Sequence, residues 1–216
     1  MKGRVRLDTR IYKLDGGERD KEYIAECADI IKNGGLVAFP TETVYGVGAN
    51  AFDEKACLAV FAAKDRPPEK ALLCHLYSPD QAEETAYLND DMRTLIKAFT
   101  PGPLTVIAPK KECIGPVVTA GGNTVGLRFP SNPEAISFMR ACGVPLAATS
   151  ANISSFPAPT DAETVKEYLY GRIDAILDCG KTGSGVASTI VSLDGGLKIL
   201  REGAISEKQI REVLKW

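Results

Sequence analysis

The stretch LVAFPTETVYGVGANAF, from Leu36 to Phe52, constrains the fold most, because it passes abruptly from continuous apolar residues to polar, glycine-punctuated backbone. Leu36, Val37, Ala38 and Phe39 form the β-favouring run of a buried strand, and Pro40, which has no N–H to give, stops its ladder. Thr41, Glu42, Thr43 and Tyr45 are thereby delivered to a sheet edge. Gly46 and Gly48 come next at alternate positions, where a missing Cβ lets the backbone bend sharply or lets a ligand approach the main chain. Substrate sites at strand ends of α/β sheets are built this way. A strand leading into an ordinary turn accounts for the same residues.

The rest of the chain repeats strand and helix. Arg10 to Leu14 reads as a first strand, and Arg19 to Lys32 puts Tyr23, Ile24, Cys27, Ile30 and Ile31 on one helical face before Asn33, Gly34 and Gly35 end it. Asp53 to Lys64 is a second helix, with a strand after it over Ala71 to Leu76. Four later helix starts carry an oxygen-bearing cap with Glu or Gln three residues on: Ser78 with Gln81, Ser131 with Glu134, Thr160 with Glu163, and Ser206 with Gln209. Between them lie strands over Leu104–Ala108, Val125–Phe129, Pro145–Thr149, Ala175–Leu177, Thr189–Leu193 and Lys198–Leu200. The alternation predicts an α/β protein with a mixed sheet.

With 216 residues, 44% of them apolar, the chain can bury a full core as one domain. A net charge of −2 argues against wholesale electrostatic binding of nucleic acid but leaves room for a local basic pocket. The six cysteines are spread singly, without metal-site spacing, as reduced thiols of a cytosolic protein are. Neither a signal peptide nor a membrane span is legible.

Chemistry concentrates in a few places. In KDRPPEKALLCHL, Lys64, Arg66 and Lys70 stand on a turn stiffened by Pro67 and Pro68, a set suited to a polyphosphate and equally to a solvated helix end. His75, the only histidine, alternates out of an apolar run, where a structural histidine is commoner than a catalyst. TPGPLTVIAP is turn chemistry entering a strand. In TVGLRFPSNP, Arg128 projects from the face opposite Val125, Leu127 and Phe129, well set to clamp a carboxylate. Ser150, Asn152, Ser154 and Ser155 come after a strand and suit a sugar, base or phosphate, or a side-chain-capped turn. The segment CGKTGSGVAST resembles a P-loop at Gly180, Lys181 and Thr182, but Ala175 replaces its first glycine, and Gly183 and Gly185 cannot start the helix it needs.

In order, these stretches resemble the threonylcarbamoyl-adenylate synthase family, the YrdC-like domain. The resemblance rests on PTETVYGVG, KDRP with His75, PGPLT, VGLRFP, TSANISS with Pro159 and Thr160, STIV from Ser188, and REG from Arg201, spanning about residues 15–205. It implies a twisted mixed β-sheet with flanking helices and a concave substrate cleft, and a single domain over residues 1–216. It also implies a nucleotidyltransferase that joins L-threonine, bicarbonate and ATP into threonylcarbamoyl-adenylate with release of pyrophosphate, in the cytoplasm. Mg²⁺ would be carried by the ATP, with no metal site in the protein. A tRNA threonylcarbamoyl transferase would take the product, and contact with tRNA itself would be weak.

By the same resemblance, Thr43, His75, Arg128, Ala148 and Ser150 surround threonine. Lys64, Arg66, Lys70, Thr124, Ser150, Asn152, Ser188, Thr189 and Arg201 bind ATP, with Lys64 and Arg66 acting in catalysis. The chain departs from the family pattern at Lys70 and Ala71 (Asn and Pro), Thr100 (Trp), Ser155 (Gly) and Ala158 (Ser). Longer members carry a further C-terminal domain, whereas this chain ends at Trp216 after a final helix. The alternative reading is a module that binds tRNA or double-stranded RNA on a concave basic sheet, without catalysis.

Overall fold

The computed structural model describes residues 7–183 and 186–216. Its strands are β1 (Arg10–Lys13), β2 (Val37–Phe39), β3 (Gly46–Asn50), β4 (Leu73–His75), β5 (Leu104–Pro109), β6 (Thr124–Arg128), β7 (Leu146–Ser150), β8 (Ala175–Asp178), β9 (Thr189–Ser192) and β10 (Lys198–Arg201). They form one sheet in the order β1-β8-β2-β3-β7-β4-β6-β5-β9-β10. β1/β8, β2/β8, β4/β6 and β5/β9 pair in parallel, and the other neighbours are antiparallel, so the sheet is mixed as the alternation predicts.

The helices are α1 (Asp20–Lys32), α2 (Glu54–Lys64), α3 (Pro79–Thr85), α4 (Asp90–Phe99), α5 (Pro116–Thr119), α6 (Pro133–Cys142), α7 (Ala162–Leu169) and α8 (Glu207–Leu214). Ser206 and Gln209 form the reciprocal cap read from the sequence, but the other three starts differ. Asn132 caps α6 and Asp161 caps α7, each one residue beyond the expected hydroxyl, while Gln81 turns back to the Tyr77 amide. Asn and Asp accept amide protons at least as well as Ser and Thr, and Pro133 suits the first helical position. α4 starts without the hydroxyl signature, on Asn89. Among the described residues, no helix is long and apolar enough to cross a membrane.

Strand periodicity splits the core in two. Ala38, Val47, Cys74, Leu127, Val106 and Val191 face one side and pack with Val60 of α2, Leu95 of α4, Val165 of α7 and Ile210 of α8. Val37, Phe39, Leu146, Ala148 and Leu177 face the other, against Ala28 and Ile31 of α1 and Phe138 and Met139 of α6. β2 is therefore buried on both faces, which is why it reads as continuous apolar residues. α1 and α6 cover only the half of their face that runs from β1 to β7. Beyond them β4, β6 and β5 carry Leu73, His75, Gly126, Arg128 and Thr105 on the same side, outside either apolar cluster, and the candidate site lies there.

One sequence expectation needs correction. Gly46 and Gly48 belong to β3 and not to a bend, while Gly46 lines the cavity of the candidate site, in keeping with the other use of a missing Cβ. A Cβ on Gly48 would stand 3.0 Å from the Ala148 Cβ and 3.4 Å from the Phe39 ring, so Gly48 makes room for Phe39 and the neighbouring strand.

Candidate active site

Pro40 ends β2, and Thr41 shapes the turn after it. The Thr41 hydroxyl donates to the Val44 carbonyl (2.7 Å) and lies 2.8 Å from the Thr43 hydroxyl, while the Thr41 amide donates to the Val44 carbonyl (3.1 Å). This closed turn arches Glu42 and Thr43 over the neighbouring strand ends. Tyr45 points into the core, donating its phenol to the Gly180 carbonyl (2.7 Å) and accepting from the Cys179 amide (3.1 Å). Thr182 in turn donates to the Thr43 carbonyl (3.0 Å). The P-loop-like segment is thus pinned to the back of the threonine-rich turn, and it contains no helix among its described residues. Ser184 and Gly185 lie outside the described residues.

Between these elements lies a cavity of about 220 Å³ that gathers Thr43, His75, Arg128, Ser150, Ser188 and Arg201. These residues come from the turn after β2, from β4, β6 and β7, and from both ends of the β9–β10 hairpin. His75 and Arg128 are register partners on parallel strands, so their side chains stand side by side. Gly126, two residues before Arg128, lets Leu73 close in: a Cβ there would meet Leu73 Cδ2 at 2.5 Å. Ala158 also lines the cavity, at the position where the family carries a serine.

Two guanidinium groups line the cavity. Arg128 is 2% exposed, with its Nη1 donating to the Gly102 and Leu104 carbonyls and its Nη2 to Glu42 Oε1. Burial, and then the charge of Arg201, lower its pKa to about 9, so it remains a cation at neutral pH. Arg201 folds back on β9, donating from Nε to the Ser188 carbonyl (3.0 Å) and from Nη2 to that carbonyl (2.9 Å) and the Ser188 hydroxyl (3.0 Å). The Ser188 hydroxyl lies 2.9 Å from that of Thr105. Burial lowers the His75 pKa to about 4, leaving a neutral imidazole whose buried Nδ1 has no hydrogen-bond partner among the described residues. A cleft lined by two guanidinium groups, a neutral imidazole and five hydroxyl side chains suits an anionic ligand.

Other residues singled out from the sequence do not line this cavity. Lys64 is buried behind its wall, with the ammonium donating to the carbonyls of Ser150 and Asn152. Desolvation, and then Arg66, lower its pKa to about 7. Arg66 braces its own turn, bonding the carbonyls of Lys70 (3.0 Å) and Ala71 (2.8 Å), and Lys70 is exposed. Thr124 stands on the Arg128 face of β6, roughly 13 Å along the strand from it. Ala148 packs in the core against β3. Asn152 donates to the Ile153 and Phe156 carbonyls and shapes its own loop. The Thr189 hydroxyl is fully buried and spent on the turn after β10, donating to the Ile205 carbonyl (2.6 Å) and accepting from the Gly203 and Ile205 amides.

Sequence reasoning gave Glu42 no role beyond its delivery to an edge. The available signal was its sign, a lone acid in a motif otherwise made of hydroxyls, in a chain that offers several cations to one site. Leu73, Thr149 and Ala187 also line the cavity, and nothing in their types announces it.

The family model Sua5_yciO_yrdC, described as "Telomere recombination", matches residues 29–203. The chain is 43% identical over 200 residues to the threonylcarbamoyl-AMP synthase of Pyrococcus abyssi, covering 91% of this chain and 59% of that protein. It is 38% identical over 208 residues to a putative threonylcarbamoyl-AMP synthase of Mycobacterium tuberculosis, covering 95% of each. The crystal structure of P. abyssi Sua5 complexed with L-threonine superposes with a TM-score of 0.90 at 40% identity, over 95% of this chain and 60% of that one. The chain thus spans about three fifths of the longer relatives it matches. With the family model covering most of its length and the fold shared with solved relatives, the chain belongs to the Sua5/YciO/YrdC family.

Proposed function

We propose that this chain is a threonylcarbamoyl-AMP synthase, condensing L-threonine, bicarbonate and ATP into threonylcarbamoyl-adenylate and pyrophosphate. The observation that carries this reading is the meeting of Arg128, His75 and Arg201 in one enclosed cavity. Arg128 takes the threonine carboxylate, with Thr43, His75 and Ser150 around the rest of the amino acid. Arg201 and Ser188 face the nucleotide side. The cavity is smaller than the roughly 300–1,000 Å³ of pockets that enclose a drug-sized ligand. It therefore holds the amino acid and its reacting end, while ATP extends outward from the mouth, with Thr124 assigned to its far end.

In this reading the threonine amine forms a C–N bond to the bicarbonate carbon, whose C–OH bond breaks with loss of water, and the product is an N-carboxylate. One of its oxygens attacks the α-phosphorus, and the bond from that phosphorus to the bridging oxygen of pyrophosphate breaks. Such a displacement depends on holding two anions in line and neutralising charge, which needs no side-chain nucleophile. Mg²⁺ carried on the phosphates of ATP would share this neutralisation of charge. Lys64 supports the nucleotide side from behind the wall through the Ser150–Asn152 loop, and Arg66 and Lys70 border it from the turn before β4. Asn152 and Thr189 contribute through the loops they fix, and Ala148 through the strand it holds in place.

The product would pass in the cytoplasm to a tRNA threonylcarbamoyl transferase. Direct RNA binding is the weaker reading, because Lys64 and Arg128 are buried and a net charge of −2 provides no excess of positive charge for a phosphate backbone. Purified protein with ATP, Mg²⁺ and bicarbonate should release pyrophosphate only when L-threonine is added; release that ignores threonine, or none at all, rejects the proposal.

A further inference from the structure

Arg128 has a carboxylate partner of its own. Glu42 reaches it from the turn after β2, although β6 lies three strands from β3 in the sheet, about 14 Å at ordinary strand spacing. The other carboxylate oxygen of Glu42 accepts the Ser131 amide at 2.9 Å, just ahead of α6. The side chain is thus held at both ends, and Thr41 fixes the backbone that carries it. The pair ties the turn after β2 to Arg128, whose guanidinium lines the cavity beside Thr43.

The bonding pattern of the guanidinium gives this pair a purpose. Two main-chain carbonyls accept from Nη1 and Glu42 accepts from Nη2, which occupies three of the five N–H groups. The remaining N–H of Nη2 and the N–H of Nε form one edge of the fork, and that edge is what a second carboxylate takes in bidentate fashion. We propose that Glu42 is a positioning residue. It locks the plane of Arg128 so that the Nε/Nη2 edge faces the amino-acid carboxylate, and it holds the cation in place while the site is empty. This inference rests on the assignment of Arg128 to threonine in the proposed function.

The test uses Glu42→Gln, which keeps the shape and one acceptor oxygen and removes the charge, alongside Glu42→Ala. Threonine-dependent pyrophosphate release is measured for both, with KM for threonine and for ATP determined separately and folding monitored by thermal melting. Loss of a charge-assisted bond at an enclosed site should raise the threonine KM at least about tenfold, while the ATP KM stays within about twofold. In an Arg128→Lys background, where no fork remains to be oriented, Glu42→Gln should add less than about twofold. A merely structural role would add its full effect there.

An unchanged threonine KM in Glu42→Gln overturns the inference, as does an equal rise in both KM values. Tighter threonine binding would also overturn it, showing that Glu42 competes for the edge. If Glu42→Ala fails to fold, Glu42→Gln still decides. A wild type that releases no pyrophosphate with threonine overturns the functional reading and this inference together, whereas an active wild type with an unaffected variant overturns this inference alone.

Discussion

The ammonium of Lys64 donates to the main-chain oxygen of Ser150, so a buried cation at the end of α2 holds the strand end that forms one wall of the cavity. Among the described residues no carboxylate pairs with it; two carbonyls are its partners, and desolvation brings its pKa to about 7.

That arrangement gives a pH signature. The folded pKa lies below the unfolded value near 10.5, so between the two the unfolded chain binds more protons than the folded one. Stability therefore rises as pH increases from about 7, and the Lys64 penalty is gone near 10.5. The buried thiols Cys27, Cys57 and Cys142, pushed up to about 12, act in the opposite sense once thiols ionise in the unfolded chain. Urea melts between pH 7 and about 8.5 isolate the lysine. The wild-type slope should exceed that of Lys64→Met by an amount approaching about 1.4 kcal/mol per pH unit at the upper end. Equal slopes would show that the amine carries no such penalty.

His75 gives the acid counterpart. Its folded pKa of about 4 lies below the model-peptide value of 6.5, so the unfolded chain takes up the proton first as pH falls. Stability is lost from about pH 6.5 down to about 4. Relative to His75→Gln, the wild type should lose roughly 3 kcal/mol across that window. Chemical denaturation at several pH values measures the difference, and parallel curves would mean that the imidazole is not shielded as its burial indicates.

The two arginines should divide the substrates. If Arg128 takes the amino-acid carboxylate as proposed, Arg128→Ala should raise the threonine KM by about 1.5–3 kcal/mol in binding terms, with a smaller effect on ATP. Arg201→Ala should do the reverse under the proposed assignment of Arg201, which donates to Ser188, to the nucleotide. Steady-state kinetics with each substrate varied in turn checks both, and identical effects of the two variants on both substrates would show that the cavity has been divided wrongly.

Gly48→Ala tests the packing beneath the site. The added methyl would lie 3.0 Å from the Ala148 Cβ, on a neighbouring strand that has little room to move. A loss of about 1–3 kcal/mol is expected from overpacking, read as a lower urea midpoint with an unchanged m-value.

Much of this architecture is legible in the chain because local rules and the tertiary fold agree. β2 reads as a buried strand and is one; Arg128 reads as opposed to Val125, Leu127 and Phe129, and those three do pack in the core while it does not. The misreadings have local causes. Gly48 lies within β3 because Phe39 and Ala148 need the space, and glycine by itself does not distinguish a bend from crowding. The caps shift because Asn132 and Asp161 stand beside the expected hydroxyls and compete for the same amides.

Within the candidate site, Thr43, His75, Arg128, Ser150, Ser188 and Arg201 converge from strands that only the sheet order brings together. Cation type suggested phosphate contacts for Lys64 and Arg66, yet each points to main-chain carbonyls. Sequence shows the charge of a lysine but not which oxygen will stand in front of it.

The most direct measurement of the central claim tracks the carbon. With ¹³C-bicarbonate, L-threonine, ATP and Mg²⁺, mass spectrometry of the reaction should reveal an adenylate carrying threonine and one labelled carbon, formed only when all three substrates are present and lost in Arg128→Ala. Pyrophosphate appearing without that labelled adenylate, or an adenylate formed in the absence of threonine, would contradict the account.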